Sequence, residues 1–266
     1  MMRLKNKVAI VTGGGKGIGR TISLAFASEG AIVVMAARSL SPLEQTAEEI
    51  RSRNGKVLTL QADVSNEEQV QQMVAKTLGE YGQIDILVNN SGIIGPITSV
   101  VEMKLDAWNE TLAINLTGTM LCSREVLRHM IPRKGGTIIN IGSEGGRGGD
   151  GRAGRPLRSA YGCSKMGIIG LTETMAVEVG EYGIRVNAIS PAAVSGERGN
   201  IHLKRRAQAI GVSPDDLKTR MVTNYSLGRI VEESEVASVA VFLASDEASA
   251  LTGQVIAVNC GHHIIF

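Results

Sequence analysis

Short runs of apolar residues punctuate this chain at regular intervals. Val8-Ala9-Ile10-Val11 comes first, followed by Ala31 to Ala36, Val57 to Leu60, Ile84 to Val88, Thr137 to Ile141, Arg185 to Ile189 and Gln254 to Val258. The second run shows no apolar–polar alternation, which predicts a strand covered by helices on both faces rather than one with a wet face. The intervening segments carry helical spacing, as with Ile22, Leu24, Ala25 and Phe26 within Ile18 to Ser28. Seven strands alternating with helices predict an α/β fold: a doubly wound, parallel, seven-stranded sheet with helices on both faces.

No repeat, low-complexity tract or Pro/Gly/Ser linker divides the 266 residues, so residues 1–266 read as a single domain. Two stretches interrupt the alternation. Residues 144–158 are rich in Gly and Arg, and residues 195–226 form a partly helical insertion before the last strand. Both follow strands whose carboxyl ends should face a ligand crevice, where long loops act as lids or substrate elements.

Composition narrows the function. Hydrophobic residues make up 43% and the net charge is +2, which suits a soluble protein and gives no global attraction to nucleic acid. No apolar stretch reaches membrane-spanning length, and the start lacks a signal core with a cleavage site, so the expected address is cytoplasmic. Cys122, Cys163 and Cys260 are scattered and suit neither a disulfide framework nor a zinc site; no His cluster stands at ligand spacing, so no metal is expected.

The first strand runs into Thr12-Gly13-Gly14-Gly15-Lys16-Gly17-Ile18-Gly19 and then a helix. Backbone amides and a helix N-terminus in that setting can hold a pyrophosphate, and glycine permits both the turn and the close approach. The fold is therefore expected to be of the dinucleotide-binding, Rossmann type. At the end of the second strand, where an acid would bond a ribose hydroxyl, the chain reads Ala36-Ala37-Arg38-Ser39. Arg38, with Lys16 in the turn, could instead pair with a 2′-phosphate, favouring NADP over NAD. Asp63, after the third strand, is a candidate adenine ligand or a helix-capping neighbour.

Tyr161-Gly162-Cys163-Ser164-Lys165 places a phenol four residues before an ammonium, on one helical face. The cation favours ionisation of the phenol and makes the pair a general acid/base.

Taken together, Thr12-Gly13-x3-Gly17-x-Gly19, Asp63-Val64, Asn89-Asn90-Ser91-Gly92, Asn115, Ser143, Tyr161-x3-Lys165 and Pro191 with Val194 resemble the short-chain dehydrogenase/reductase family, in the family's order and over nearly the whole chain. The resemblance implies that Tyr161 exchanges the proton, Ser143 holds the substrate oxygen, and Lys165 lowers the phenol pKa while bonding the nicotinamide ribose. It implies that Asn115 anchors a water linking Lys165 to solvent. Cofactor contacts are implied at Thr12, Gly13, Gly15, Lys16, Gly17, Ile18, Gly19, Arg38, Ser39, Asp63, Val64, Asn90, Ser91, Gly92, Pro191 and Val194. Met166, Ile169, Leu171 and Met175 read as an outer apolar face of the Tyr161 helix, a kind of stripe that is more often core than interface, but the resemblance implies helix-to-helix pairing here and a homotetramer overall. The chain departs from the family pattern at Ala192 and at Gly196, where a Gly and a Thr are usual, so the hydroxyl contact to the nicotinamide amide is lost.

The expected substrate is a secondary alcohol or ketone. Arg147, Arg152, Arg155 and Arg158 crowd the loop before Tyr161, and His202, Lys204, Arg205 and Arg206 follow in the second insertion. Arginine suits carboxylate or phosphate, so an acidic substrate is expected, against the alternative that these side chains pair with Glu144, Asp150 or a neighbouring subunit. A 3-oxoacyl thioester reductase meeting an acidic carrier through Arg124 and Arg128, a cofactor sensor, and an isomerase or dehydratase stand as further alternatives.

Overall fold

A computed structural model of the chain describes residues 2–144 and 156–262. Its centre is a seven-stranded sheet: β1 (Val8–Thr12), β2 (Ile32–Ala37), β3 (Lys56–Gln61), β4 (Ile86–Asn89), β5 (Gly136–Ile141), β6 (Ile184–Pro191) and β7 (Val255–Val258). All pairings are parallel and the order is β3-β2-β1-β4-β5-β6-β7. The expected strands and architecture are those observed, with bounds differing by one or two residues.

The strands are buried on both faces, and this is why they lack alternation. Ala9 and Val11 point into one apolar layer with Ile22, Phe26, Leu43 and Val241; Val8 and Ile10 point into the other with Val74, Val126 and Met175. The first layer is closed by α1 (Gly17–Ser28), α2 (Leu40–Ser52) and, later in the chain, α9 (Glu233–Ala244); the second by α3 (Glu67–Tyr81), α5 (Gly118–Arg133) and α6 (Ser159–Val179). Between α3 and α5 lies α4 (Leu105–Leu112), which passes through a π turn, Ala113–Thr117, directly into α5. The insertion before β7 folds as two helices, α7 (Glu197–Ala209) and α8 (Pro214–Thr223).

Chain order reverses between β1 and β4, which are neighbours in the sheet although two strands intervene in sequence. The crevice beyond their carboxyl ends is the place where such sheets take ligands. No helix among the described residues is long and apolar enough to cross a membrane.

One expectation about α6 is corrected here. Ile169 and Met175 are buried in the chain's own core, and Leu171 packs against that core, because this face of α6 lies on β5 and β6. The large apolar side chains α6 presents outward are Met166 and Val177, the latter 85% exposed.

Candidate active site

At the end of β1 the chain turns sharply into α1. Gly13 and Gly17 sit at φ +67° and +55°, backbone that side chains resist. A Cβ on Gly19 would stand 2.2 Å from the Gly13 carbonyl oxygen and 2.3 Å from Asn90 Nδ2. Asn90 closes the turn from β4: its Nδ2 donates to the carbonyl of Thr12 at 2.8 Å, and its N–H and that of Ser91 both donate to Thr12 Oγ1 at 3.0 Å. The result is a backbone cradle at the N-terminus of α1, whose N-cap, Lys16, supplies no side-chain cap. Exposed amides on a helix end, approached without side chains, fit the pyrophosphate of a dinucleotide.

Gly15 packs against the first turn of α2, and Arg38 and Ser39 just before that helix are both exposed at the end of β2. Ser39 is the N-cap of α2, makes no side-chain cap, and no acid stands in the first turn. Asp63 Oδ1 accepts from the backbone N–H and hydroxyl of Ser65, in the turn just before Asn66, which is itself the N-cap of α3. Val64 is buried, and its side chain packs where a Cβ on Gly118 would fall.

The acid/base pair stands on the first turns of α6. Lys165 Nζ lies 5.8 Å from the centroid of the Tyr161 ring and donates to the Ile141 carbonyl at 2.6 Å, which ties it to the end of β5. Ser143, two residues further along that strand end, hydrogen-bonds the Tyr161 phenol. Arg158, the N-cap of α6, sets its guanidinium carbon 4.2 Å from the same ring centroid. Burial pushes the phenol up, but the cations of Lys165, Arg158 and Arg198 and the Ser143 hydrogen bond outweigh it and hold Tyr161 below its ordinary value. Lys165 is lowered chiefly by burial.

Asn115 occupies the π turn, as such turns often do at functional positions. Its side chain is fully engaged: Oδ1 accepts from the N–H of Ile93 at 2.7 Å, and Nδ2 donates to the Ile93 carbonyl and to Ser164 Oγ, each at 2.9 Å. A Cβ on Gly92 would lie 3.1 Å from Asn115 Oδ1 and 3.8 Å from Lys165 Nζ, so a side chain there would crowd the Asn115 amide.

One cleft joins these parts. Gly17, Ile18, Asn90 and Gly92 line its cofactor end; Ser143, Tyr161 and Lys165 its middle; Pro191 and Val194 its floor after β6. Arg158, Arg198, His202, Arg206 and Lys218 line the remainder. Arg198 reaches over the cleft from α7, its Nη2 donating to the Gly92 carbonyl. Gly196 lacks the hydroxyl usual in the family, and the Glu233 carboxylate stands 2.4 Å from where its Cβ would be, while also accepting from Thr21 on α1 at 2.9 Å.

Of the expected substrate residues, Arg158 and His202 are brought to the cleft; Arg147, Arg152 and Arg155 lie outside the described residues. Arg124 and Arg128 are ion-paired with Glu67 and Glu125. Arg198 and Lys218 escaped the sequence reading. A helical-face count from His202 finds Arg198 four residues earlier and Arg206 four later.

A sequence profile of the short chain dehydrogenase family matches residues 7–205. A 3-oxoacyl-[acyl-carrier-protein] reductase of Staphylococcus epidermidis is 35% identical over 260 residues, covering 97% of this chain and 100% of that protein. The crystal structure of levodione reductase superposes with a TM-score of 0.93 at 32% identity, covering 99% of this chain and 100% of the other. A variant of actinorhodin polyketide ketoreductase with NADPH gives 0.92 at 30% identity, with both chains covered in full, 100% each.

Proposed function

Since the chain belongs to the short-chain dehydrogenase family, we propose that it is an oxidoreductase that interconverts a secondary alcohol and a ketone, with NADP as the favoured nicotinamide cofactor. The observation that carries this reading is the Tyr161 phenol, hydrogen-bonded to Ser143, held below its ordinary value, and set in the same cleft as the glycine cradle.

The NADPH in the ketoreductase neighbour supports the cofactor class. Arg38 and Ser39 at the uncapped start of α2, with Lys16 in the glycine turn, support NADP, because a 2′-phosphate at that helix start would meet a guanidinium and a helix N-terminus. The cradle of Gly13, Gly17 and Gly19 would hold the pyrophosphate. When bound, the nicotinamide supplies or accepts the hydride.

The chain's own residues manage the oxygen and its proton. In the reducing direction Ser143 and Tyr161 hydrogen-bond the substrate carbonyl, and Tyr161 gives its proton as negative charge develops on that oxygen. The phenolate left behind is stabilised by Lys165, Arg158 and Arg198. In the oxidising direction it takes the proton back. Asn115 holds the Ile93 and Gly92 segment against Lys165, which positions the ammonium's surroundings.

A 3-oxoacyl thioester is the second substrate reading, favoured by the Staphylococcus epidermidis relative. Exposed Met166 and Val177 on α6, with Gly170 between them, support pairing of this helix with a second copy in a homotetramer, which light scattering at micromolar concentration tests. The function is tested by following NADPH and NADH consumption with ketones, aldehydes and 3-oxoacyl thioesters. Turnover with NADPH that Tyr161→Phe abolishes upholds the reading; tight NADPH binding with no turnover of any carbonyl overturns it in favour of a sensor.

A further inference from the structure

We propose that the substrate half of the cleft is an anion site, which takes a small oxo or hydroxy acid by its carboxylate on Arg158 and Arg198 while the reacting oxygen lies on Tyr161 and Ser143. This rests on the oxidoreductase reading above and narrows its substrate class.

Arg158 is a built position. The Thr98 N–H donates to the Leu157 carbonyl at 3.0 Å, and Thr98 and Arg158 form a parallel bridge. Leu157 is held at φ +64°, a left-handed conformation that costs a branched residue energy and here aims the next side chain back over Tyr161. The Gly162 N–H then donates to the Arg158 carbonyl at 2.8 Å and starts α6. The guanidinium is thereby set beside the reacting phenol, so an anion it binds lies within a few bonds of the reacting carbon.

The second wall comes from α7. Arg198, His202 and Arg206 follow one another at four-residue intervals and all line the cleft, with Lys218 of α8 joining them. Among the described residues, the carboxylates along the same lining are Glu144 and Glu233. Glu233 is bonded to Thr21 and close to Gly17. Apolar neighbours include Ile93, Ile94, Ile97, Leu203 and Met221. Guanidiniums in such surroundings bind a carboxylate more strongly than in open water.

His202 stands among the same cations. Partial burial and the charges of Arg158, Arg198 and Arg205 push its imidazole down to about 3, so it stays neutral in any ordinary buffer. A neutral imidazole among guanidiniums can still accept or donate one hydrogen bond, and it adds no charge of its own.

The test compares 3-oxobutanoate with its methyl ester, which share the reacting carbonyl and differ in charge. With NADPH and wild-type protein the acid should exceed the ester in kcat/KM by tenfold or more. Arg198→Gln and Arg158→Gln should each reduce that ratio at least tenfold, mainly through the acid's KM, and Arg198→Lys should retain part of it. An ester used as well as the acid, or a ratio unmoved by either substitution in folded protein, overturns the proposal. Calorimetry with butanoate and butanamide on NADP-loaded protein gives a readout free of turnover. Butanoate binding tenfold tighter, and losing that advantage in Arg198→Gln, upholds the anion site even if neither oxo compound is reduced; equal binding overturns it. Failure of the oxidoreductase reading shows separately, as no NADPH consumption across the whole carbonyl panel.

Discussion

On the cofactor side of the cleft the chain presents backbone, and on the substrate side it presents long cationic side chains. Gly13, Gly17 and Gly19 shape the first by having no Cβ, and Thr12 and Asn90 lock it with hydrogen bonds to main-chain atoms. Arg158, Arg198, Arg206 and Lys218 shape the second from an N-cap and two helices of the insertion outside the sheet. A backbone cradle suits what all dinucleotides share, so it leaves little scope for variation. Side chains on an insertion can change one at a time, and the proposed substrate preference rests on them.

The sharpest way to break the comparison lies at its junction. Tyr161→Phe should lower kcat about 10²- to 10⁴-fold with every substrate, measured at saturating NADPH, because both halves serve this proton. Gly19→Ala should destabilise the fold by about 3 kcal/mol, read by denaturant melts, since its Cβ would meet the Gly13 carbonyl and Asn90 and neither can yield. Arg38→Ala should reduce kcat/KM for NADPH about 10- to 100-fold and leave NADH nearly unchanged, as the loss of one charge-assisted phosphate contact. An equal loss with both cofactors would place the 2′-phosphate elsewhere.

The pH dependence sharpens the link between the halves. Alcohol oxidation needs the ionised phenol, so kcat/KM should rise with pH and level off above an inflection below the ordinary tyrosine value of 10. Removing a cation disfavours the phenolate, so Arg158→Gln should move that inflection upward, which a pH profile on a neutral substrate resolves. The smallest expected effect is at Glu233. Its carboxylate stands at the end of α1 where the pyrophosphate would lie, so Glu233→Gln should tighten NADPH binding about two- to fivefold by fluorescence titration.

The same division explains what was legible in the sequence. The strands could be read because burial on both faces leaves unbroken apolar runs, and the cradle because glycines between a strand and a helix have few other uses. The outer face of α6 was misread at Ile169 and Met175, since periodicity marks a stripe without saying which layer covers it. Lys218 gave no signal at all: it reaches the cleft only because α8 folds against α7. Arg198 did give one, through its spacing from His202 and Arg206.

The π turn at Ala113–Thr117 makes the path from α4 to α5 one residue longer than a regular helix would need. Each residue of an α-helix advances the azimuth by about 100°, so excising one here would let α4 and α5 fuse into a straight rod. The wide turn takes up the extra residue, so the helices on either side keep their phase, and the excision would remove only the local bulge. Asn115 would leave the Ile93 backbone, while Val126 and Met130 further along α5 would stay in the core. The extra residue thus serves the Asn115 contacts alone, and deleting it should cost activity while sparing the packing of α5.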